Sequence, residues 1–224
     1  MMRPATRRKL RLIGGFAAYF GALWLLWPTP LVYPLKVFVV LLHEISHALA
    51  AVATGGAVER ILLDPAEGGL TLARGGNAFI MLSAGYLGSL LFGLLLLEAA
   101  AVKPRTARVV VGVVGAFILA MTVLYVRNVF GLLFSVFAGA ALLFASKKLR
   151  PRGIALLLTV LGATSALYAL LDIRSDTIQR AHLPSDAQML GELTGIPGIV
   201  WGILWAVIGL VLAGLMARRV YRRA

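Results

Sequence analysis

Seven long apolar runs constrain the fold of this 224-residue chain more than any other feature. Each run is roughly 20 residues long, the length at which a helix spans the hydrocarbon core of a bilayer. A soluble domain of this size could not bury so much apolar side chain, because 60% of the residues are hydrophobic. The sequence therefore predicts an all-α polytopic membrane protein with six to seven transmembrane helices, which we interpret as one domain over residues 1–224. The runs cover about residues 12–27, 32–53, 77–99, 109–126, 129–146, 153–173 and 196–217.

Basic residues give the chain a formal net charge of +13, and their placement indicates which partner they face. Sixteen of the 22 lysines and arginines fall in four clusters at the ends of apolar runs, where anionic lipid headgroups attract them. We therefore expect the lipid bilayer, and not nucleic acid, as the partner of these charges. Neither orientation of seven spans places all four clusters on one side, so the orientation stays open. The clusters cover residues 3–11, 103–108, 147–152 and 218–223.

Two points in the helix count stay open at the level of sequence. The first run follows basic residues as in a signal peptide, but no small-x-small cleavage site comes after Trp27, so we expect a retained helix. The fourth and fifth runs are separated only by Arg127 and Asn128. These two runs form either a tight helical hairpin or one broken element.

The second apolar run contains the sequence His43-Glu44-Ile45-Ser46-His47. Residues four apart lie on one face of a helix, so His43 and His47 can direct both imidazoles at one ion. Glu44 lies one step round the helix, where it can reach a water on that ion. Polar side chains at this depth are costly, about 2.5 to 3.5 kcal/mol for a central charge. The alternative is that two histidines form hydrogen bonds between helices beside a buried glutamate.

The pattern of this motif is the His-Glu-x-x-His arrangement of zinc hydrolases. Neutral imidazoles bind Zn²⁺, a third protein ligand completes the site, and one position stays open for water. The metal lowers the pKa of that water, and Glu44 can then act as general base. The chain has no cysteine, so we expect a carboxylate as the third ligand.

Two aspartates are candidates for this third ligand. Asp172 ends the apolar run of a helix over about 153–173, so it lies near membrane depth, and we predict it as the ligand. Asp186 is the rival, because the polar loop that contains it, about 174–195, could fold back over the metal. The alternative for Asp186 is a helix-capping role beside Ser185.

Two polar segments interrupt the pattern of membrane helices. Residues 55–76 follow the zinc-motif helix of about 32–53, and two short strand-like stretches there flank a turn rich in Asp, Pro and Gly. This segment reads as a β-hairpin, which could offer an edge strand to a substrate or be a simple connection. The loop of about 174–195 contains His182, a weaker ligand candidate, and we expect a short helix from Ser185.

At this point the sequence resembles a known family. The stretch HEISHALAAVATGG resembles the zinc motif of site-2 proteases, the intramembrane zinc metalloproteases. Further stretches are similar to a compact bacterial branch of that family and extend the resemblance over most of residues 31–205. These are the glycine pair after the zinc helix, the sequence AGYLG at 84–88, the Arg-Asn stretch at 127–131 and the sequence SDA at 185–187.

The resemblance implies a zinc cofactor, with His43 and His47 as metal ligands and Glu44 as catalytic base. The family's third ligand is an aspartate after a leucine, which Leu171-Asp172 matches best, although the usual glycine does not follow. The implied function is an endopeptidase in a bacterial cell membrane that cuts a transmembrane segment of a membrane-protein substrate, as in regulated intramembrane proteolysis. Asn128 could donate a hydrogen bond to the oxyanion or be a turn residue.

A non-enzymatic class of function stays open beside the protease. The chain could be a membrane metal-binding or transport protein, or a catalytically silent scaffold that keeps the same fold. Glu44 favours the enzyme, because a metal carrier needs ligands but has less need of a carboxylate next to the first histidine.

Overall fold

The computed structural model describes residues 4–179 and 184–223. Within these residues the chain forms α-helices and one two-stranded antiparallel sheet. The elements are α1 (Pro4–Leu26), α2 (Tyr33–Ala53), β1 (Ala57–Asp64), β2 (Gly68–Arg74), α3 (Ala78–Ala100), α4 (Pro104–Tyr125), α5 (Val129–Lys148), α6 (Pro151–Arg174), a π-helical turn (Ser175–Gln179), α7 (Asp186–Thr194) and α8 (Gly198–Arg223).

Six of the described helices are long and apolar enough to cross a bilayer, namely α2 to α6 and α8. The apolar part of α1, Gly14–Leu26, is shorter. The predicted fold class, a polytopic helical membrane protein with six to seven spans and a β-hairpin, is therefore confirmed. The protein is an integral membrane protein.

Local sequence signals set the ends of these helices. Proline lies in the first turn of α2, α4 and α6, where its missing N–H is not needed. Asn77 caps α3, since its side chain accepts a hydrogen bond from Ile80 N at 3.1 Å. The guanidinium of Arg108 donates to carbonyls at the end of α5, among them Leu149 O at 2.9 Å. These contacts satisfy backbone groups that a helix end leaves without intrahelical partners.

Helix α2 lies at the centre of the helical bundle. In its most apolar window 72% of the residues are buried, against 17% in the window of α8, which faces outward over most of its surface. Leu41, Ile45 and Ala51 of α2 are almost completely buried. The metal motif is therefore carried by the most enclosed helix and not by a lipid-facing one.

Helices α3 and α6 approach each other closely through small residues. A Cβ at Gly93 would lie 2.7 Å from Ala166 N and 2.8 Å from Gly162 O, so only glycine fits there. Small residues at such crossings let two helix backbones pack in direct contact within a membrane. The crossing fixes α6 against α3, which in turn packs on α2.

The β-hairpin folds back along α2 and is not a free connection. At its base, Gly56 N donates to Ala51 O at 2.8 Å, near the end of the helix. At its turn, the Tyr33 hydroxyl donates to Pro65 O at 2.8 Å, near the start of the helix. The hairpin thus spans most of the length of α2 and passes the motif on the way.

The outer edge of β1 is occupied by the segment that joins α4 and α5. Ile61 forms a parallel bridge with Val126, and Arg127 N donates to Ile61 O at 3.1 Å. Asn128 accepts from Leu63 N at 3.2 Å and donates to Leu63 O at 2.7 Å. The fourth and fifth apolar runs are therefore separate helices, and their connection closes one edge of the hairpin.

The predicted polar loop is partly helical. Helix α6 runs directly into the π-helical turn, and α7 begins after Ser185, whose hydroxyl accepts from Gln188 N at 3.3 Å. Gly195, in the left-handed conformation at φ 73°, ends α7. The short helix expected from Ser185 is therefore present. His182 lies outside the described residues.

Candidate metal centre

The two histidines of the motif converge on one carboxylate. His43 and His47 lie on one face of α2 with ring centroids 4.7 Å apart. Asp186 Oδ2 lies 3.0 Å from His43 Nε2 and 3.1 Å from His47 Nε2. The three donor atoms all lie within 4.8 Å of one another, close enough to bind a single ion.

Asp186 reaches the histidines because α7 packs into the bundle. Ala187 and Leu190 of this helix are buried in a cluster with Tyr86, Ile173 and Trp205. Ser185 is the residue that caps α7, so the carboxylate of Asp186 is not used for capping and turns toward α2. Burial alone would raise the pKa of Asp186, but the two imidazoles against it hold that pKa below its usual range.

Asp172, the third ligand predicted from the sequence, does not join the two histidines. Among the described residues, the group that could hold a metal consists of His43, His47 and Asp186. Asp172 instead lines a cleft of about 510 Å³ beside the hairpin turn, with Trp27 and Glu67 among its other walls. The physical reason is tertiary packing, because α7 packs against α3 and brings Asp186 to the histidines, while α6 places Asp172 beside the hairpin turn.

The sequence did contain a signal for Asp186. The Ser-Asp pair at the start of a short helix indicates one capping residue, and either of the two can take that role. With Ser185 as the cap, the carboxylate of Asp186 is available to contact the histidines. Helix α7 lies outside the apolar runs and packs against α3. Sequence periodicity could not predict this contact, because it joins segments that are far apart in the chain.

Glu44 is held by strand β2. The Thr71 hydroxyl lies 2.7 Å from Glu44 Oε2, to which it donates, and 3.0 Å from the backbone oxygen of the same residue. A Cβ at Gly69 would lie 2.6 Å from Glu44 Cγ, so glycine leaves the carboxylate room. Glu44 is only 4% exposed. The hairpin thus fixes the one acidic side chain of the motif.

His47 has a partner for its second ring nitrogen. Nδ1 lies 2.7 Å from the backbone oxygen of Met81, and only a protonated nitrogen can donate to a carbonyl. This contact leaves Nε2 as the nitrogen that faces Asp186. Such a hydrogen bond sets the tautomer and the ring orientation of histidines that bind metals.

A glycine on α3 lets the two imidazoles pack directly against the backbone of that helix. A Cβ at Gly85 would overlap Nε2 of His43 and lie 2.6 Å from Nε2 of His47. The next residue, Tyr86, packs its ring against His43 at 4.9 Å and donates its hydroxyl to Asp176 Oδ2 at 2.6 Å. Helix α3 therefore accommodates both imidazoles at Gly85 and forms one wall of the site through Tyr86.

The residues fit a zinc ion. Two imidazole nitrogens and one carboxylate oxygen are the donor set of catalytic zinc sites with three protein ligands and one open position. Because residue 85 has no side chain, the Nε2 atoms of both imidazoles lie against the backbone of α3 at this position. Glu44, next to His43 in sequence, is not one of the three clustered donors and stays available as a base.

Asn128 has a structural role in the described residues. Both groups of its side-chain amide bind the backbone of Leu63. This pairing supports the structural alternative for Asn128, and the oxyanion role stays a prediction. The Arg-Asn stretch holds β1 in place through these contacts.

Comparison with known proteins identifies the family of the chain. The family model described as Peptidase M50B-like matches residues 16–216, which include the motif, the hairpin and Asp186. None of the curated proteins and none of the solved structures compared with the chain matches it. The chain therefore belongs to the Peptidase M50B-like family, in agreement with its resemblance to site-2 proteases.

Proposed function

We propose that this protein is a zinc-dependent intramembrane endopeptidase that hydrolyses a peptide bond in or near a transmembrane segment of another membrane protein. The observation that carries the proposal is that Asp186 of α7 meets His43 and His47 of α2. These histidines flank Glu44 on a buried helix that is long enough to span a membrane. The resemblance to the compact bacterial branch supports a location in a bacterial cell membrane.

Each polar side chain of the site has a role in this reaction. His43, His47 and Asp186 would hold zinc, which when bound makes water a better nucleophile and polarises the substrate carbonyl. Glu44 takes a proton from the attacking water and gives it to the leaving amine. The Thr71 hydroxyl keeps the Glu44 carboxylate in one orientation through this transfer.

A helical substrate must unwind before it can react, because helix hydrogen bonds shield its peptide carbonyls. The open edge of β2 suits such an extended segment. Ile61 and Leu63 turn their backbone groups away from β2, toward the segment that joins α4 and α5. Groups in an antiparallel pair alternate in direction, so their partners Thr71 and Gly69 turn theirs away from β1.

The pairing register of β1 and β2 supports one way for a substrate strand to bind the hairpin. A substrate strand that pairs with the outer edge of β2 at Gly69 and Thr71 lies beside Glu44, because the same two residues contact that carboxylate. Backbone pairing of this kind gives affinity with little dependence on sequence. The hairpin therefore acts as the substrate platform, through β2 and not through the already occupied β1.

The rival class, a metal carrier or a silent scaffold, accounts for the three ligands but not for Glu44. A buried carboxylate held by a hydroxyl and accommodated by a glycine is what a general base requires. Storage or transport of a metal would work without it.

The test of the proposed function is a Glu44→Gln variant. An amide cannot accept the proton of water, so this variant should lose proteolysis while it keeps zinc. The readout is the set of membrane-protein fragments with new termini inside transmembrane segments, compared between cells that express wild type and cells that express the variant. The matched control is Glu59→Gln, which alters an exposed glutamate of the hairpin. Equal fragment patterns in wild type and Glu44→Gln would refute the proposal.

A further inference from the structure

A partly buried ion pair joins the hairpin turn to the start of α2, with Lys36 buried and Glu67 half-buried. Lys36 Nζ lies 3.1 Å from Glu67 Oε1 and 4.9 Å from the centroid of the Trp27 ring. Lys36 is 7% exposed, although it lies in the apolar run that carries the metal motif. The pair is about two helical turns from His43 along α2, so it belongs to a different part of the molecule from the metal donors.

Stability does not account for this pair. Removing two charges from water costs about as much as their attraction returns, and the best-attested use of buried pairs is to fix one arrangement over another. Glu67 also has φ 67°, a backbone conformation that glycine adopts more easily. The contact with Lys36 gives a physical reason for a glutamate at this position.

The register of the hairpin on α2 is what the pair can fix. Strand β2 contains Gly68 and Gly69 and offers few large side chains to define its position. If the hairpin slid along α2 by one strand residue, about 3.3 Å, the Thr71 hydroxyl would leave hydrogen-bond distance of Glu44. Contacts at the base and at the turn are needed together to hold Thr71 at 2.7 Å from the carboxylate.

We propose that Lys36 and Glu67 are a positioning pair, which sets the register of the hairpin on α2 and through it the orientation of Glu44. This inference rests on the proposed function for its kinetic consequence. Its structural consequence, a defined distance between hairpin and helix, stands independently of any activity.

The kinetic test uses Lys36→Met, Glu67→Gln and the exchanged pair Lys36→Glu with Glu67→Lys, in proteoliposomes with a transmembrane substrate. The single variants should lower kcat by up to about 100-fold, the effect of a displacement of about 1 Å in a catalytic group. Zinc content should not change, and the exchanged pair should recover kcat. Glu59→Gln is the matched control, since it breaks an exposed hairpin ion pair with Arg74 that does not reach α2.

A second measurement does not require activity. The chain has no cysteine of its own. Two cysteines introduced together at Leu49 and Leu70, both half-exposed, can therefore carry one spin label each with no labelling elsewhere. Wild type and Glu59→Gln should give one narrow distance between α2 and β2. Glu67→Gln and Lys36→Met should broaden or shift it, and the exchanged pair should restore it.

The two readouts separate failure of this inference from failure of the proposed function. Unchanged label distances in both single variants would overturn the positioning role, whatever the activity. Single variants with wild-type kcat, or an exchanged pair that does not recover kcat, would also overturn it. A wild type that cleaves nothing but shows the expected distances would refute the protease and keep the positioning pair.

Discussion

At the scale of single residues, the candidate metal centre depends on which side-chain atoms have no other hydrogen-bond partner among the described residues and can face the metal position. Ser185 caps α7, so the carboxylate of Asp186 is free to meet His43 and His47. Met81 O occupies Nδ1 of His47, which leaves Nε2 toward the site. The chemistry is therefore set as much by these neighbouring contacts as by the motif itself.

Replacing Asp186 by alanine should weaken zinc binding by more than about 100-fold. Loss of a residue that only hydrogen-bonds to a metal ligand lowers metal affinity about 10- to 100-fold, and loss of a direct ligand should lower it further. Cleavage should be abolished. Zinc titration of the purified protein in detergent measures the first effect. Asp172→Ala is the matched control and should bind zinc like wild type. The opposite ranking of these two variants would return the ligand role to Asp172.

Replacing Thr71 by valine removes a hydroxyl from the carboxylate of Glu44 without changing the size of the side chain. A hydrogen bond to a charged group contributes about 1.5 to 3 kcal/mol, so kcat should fall about 10- to 100-fold. Zinc content should stay the same. The control is Thr159→Val, whose hydroxyl bonds only Ala155 O within α6. Wild-type kcat in Thr71→Val would mean that the hydroxyl does not orient the base.

At the scale of elements, the sequence predicted the kinds of segment but not how they pack. Apolar runs of about 20 residues indicated the membrane helices, and the turn residues between Val58 and Arg74 indicated the hairpin. That the hairpin lies back along α2 depends on contacts such as that of Tyr33 with Pro65, which join residues 32 apart in sequence. No local pattern contains that information.

Replacing Ala73 by proline tests the role of β2 as the substrate platform. Ala73 lies two residues beyond Thr71, so its N–H points to the open edge and proline removes that donor. The apparent KM for a transmembrane substrate should rise several-fold while zinc stays bound. Ala73→Val keeps the N–H and should behave like wild type. Unchanged cleavage kinetics in Ala73→Pro would make the hairpin a connection only.

At the scale of the whole molecule, four parts of the bundle meet at one site. Helix α2 supplies the motif, α3 accommodates the imidazoles at Gly85, β2 holds Glu44, and α7 brings Asp186. The sequence motif was enough to predict His43, Glu44 and His47 as candidate site residues, because all three lie within five residues of one helix. Asp186, which we propose as the third ligand, is 139 residues beyond His47, so only the folded arrangement brings it to the motif.

The most direct measurement of the central claim is zinc content together with cleavage, in one set of purified proteins reconstituted in liposomes. Wild type should hold about one zinc per chain, as expected for two imidazoles and a carboxylate with one open position, and should cut a transmembrane substrate. Glu44→Gln should hold the same zinc and cut nothing, and the double variant His43→Ala with His47→Ala should lose both. Zinc retained by the double variant, or wild-type cleavage by Glu44→Gln, would contradict a catalytic zinc centre at this motif.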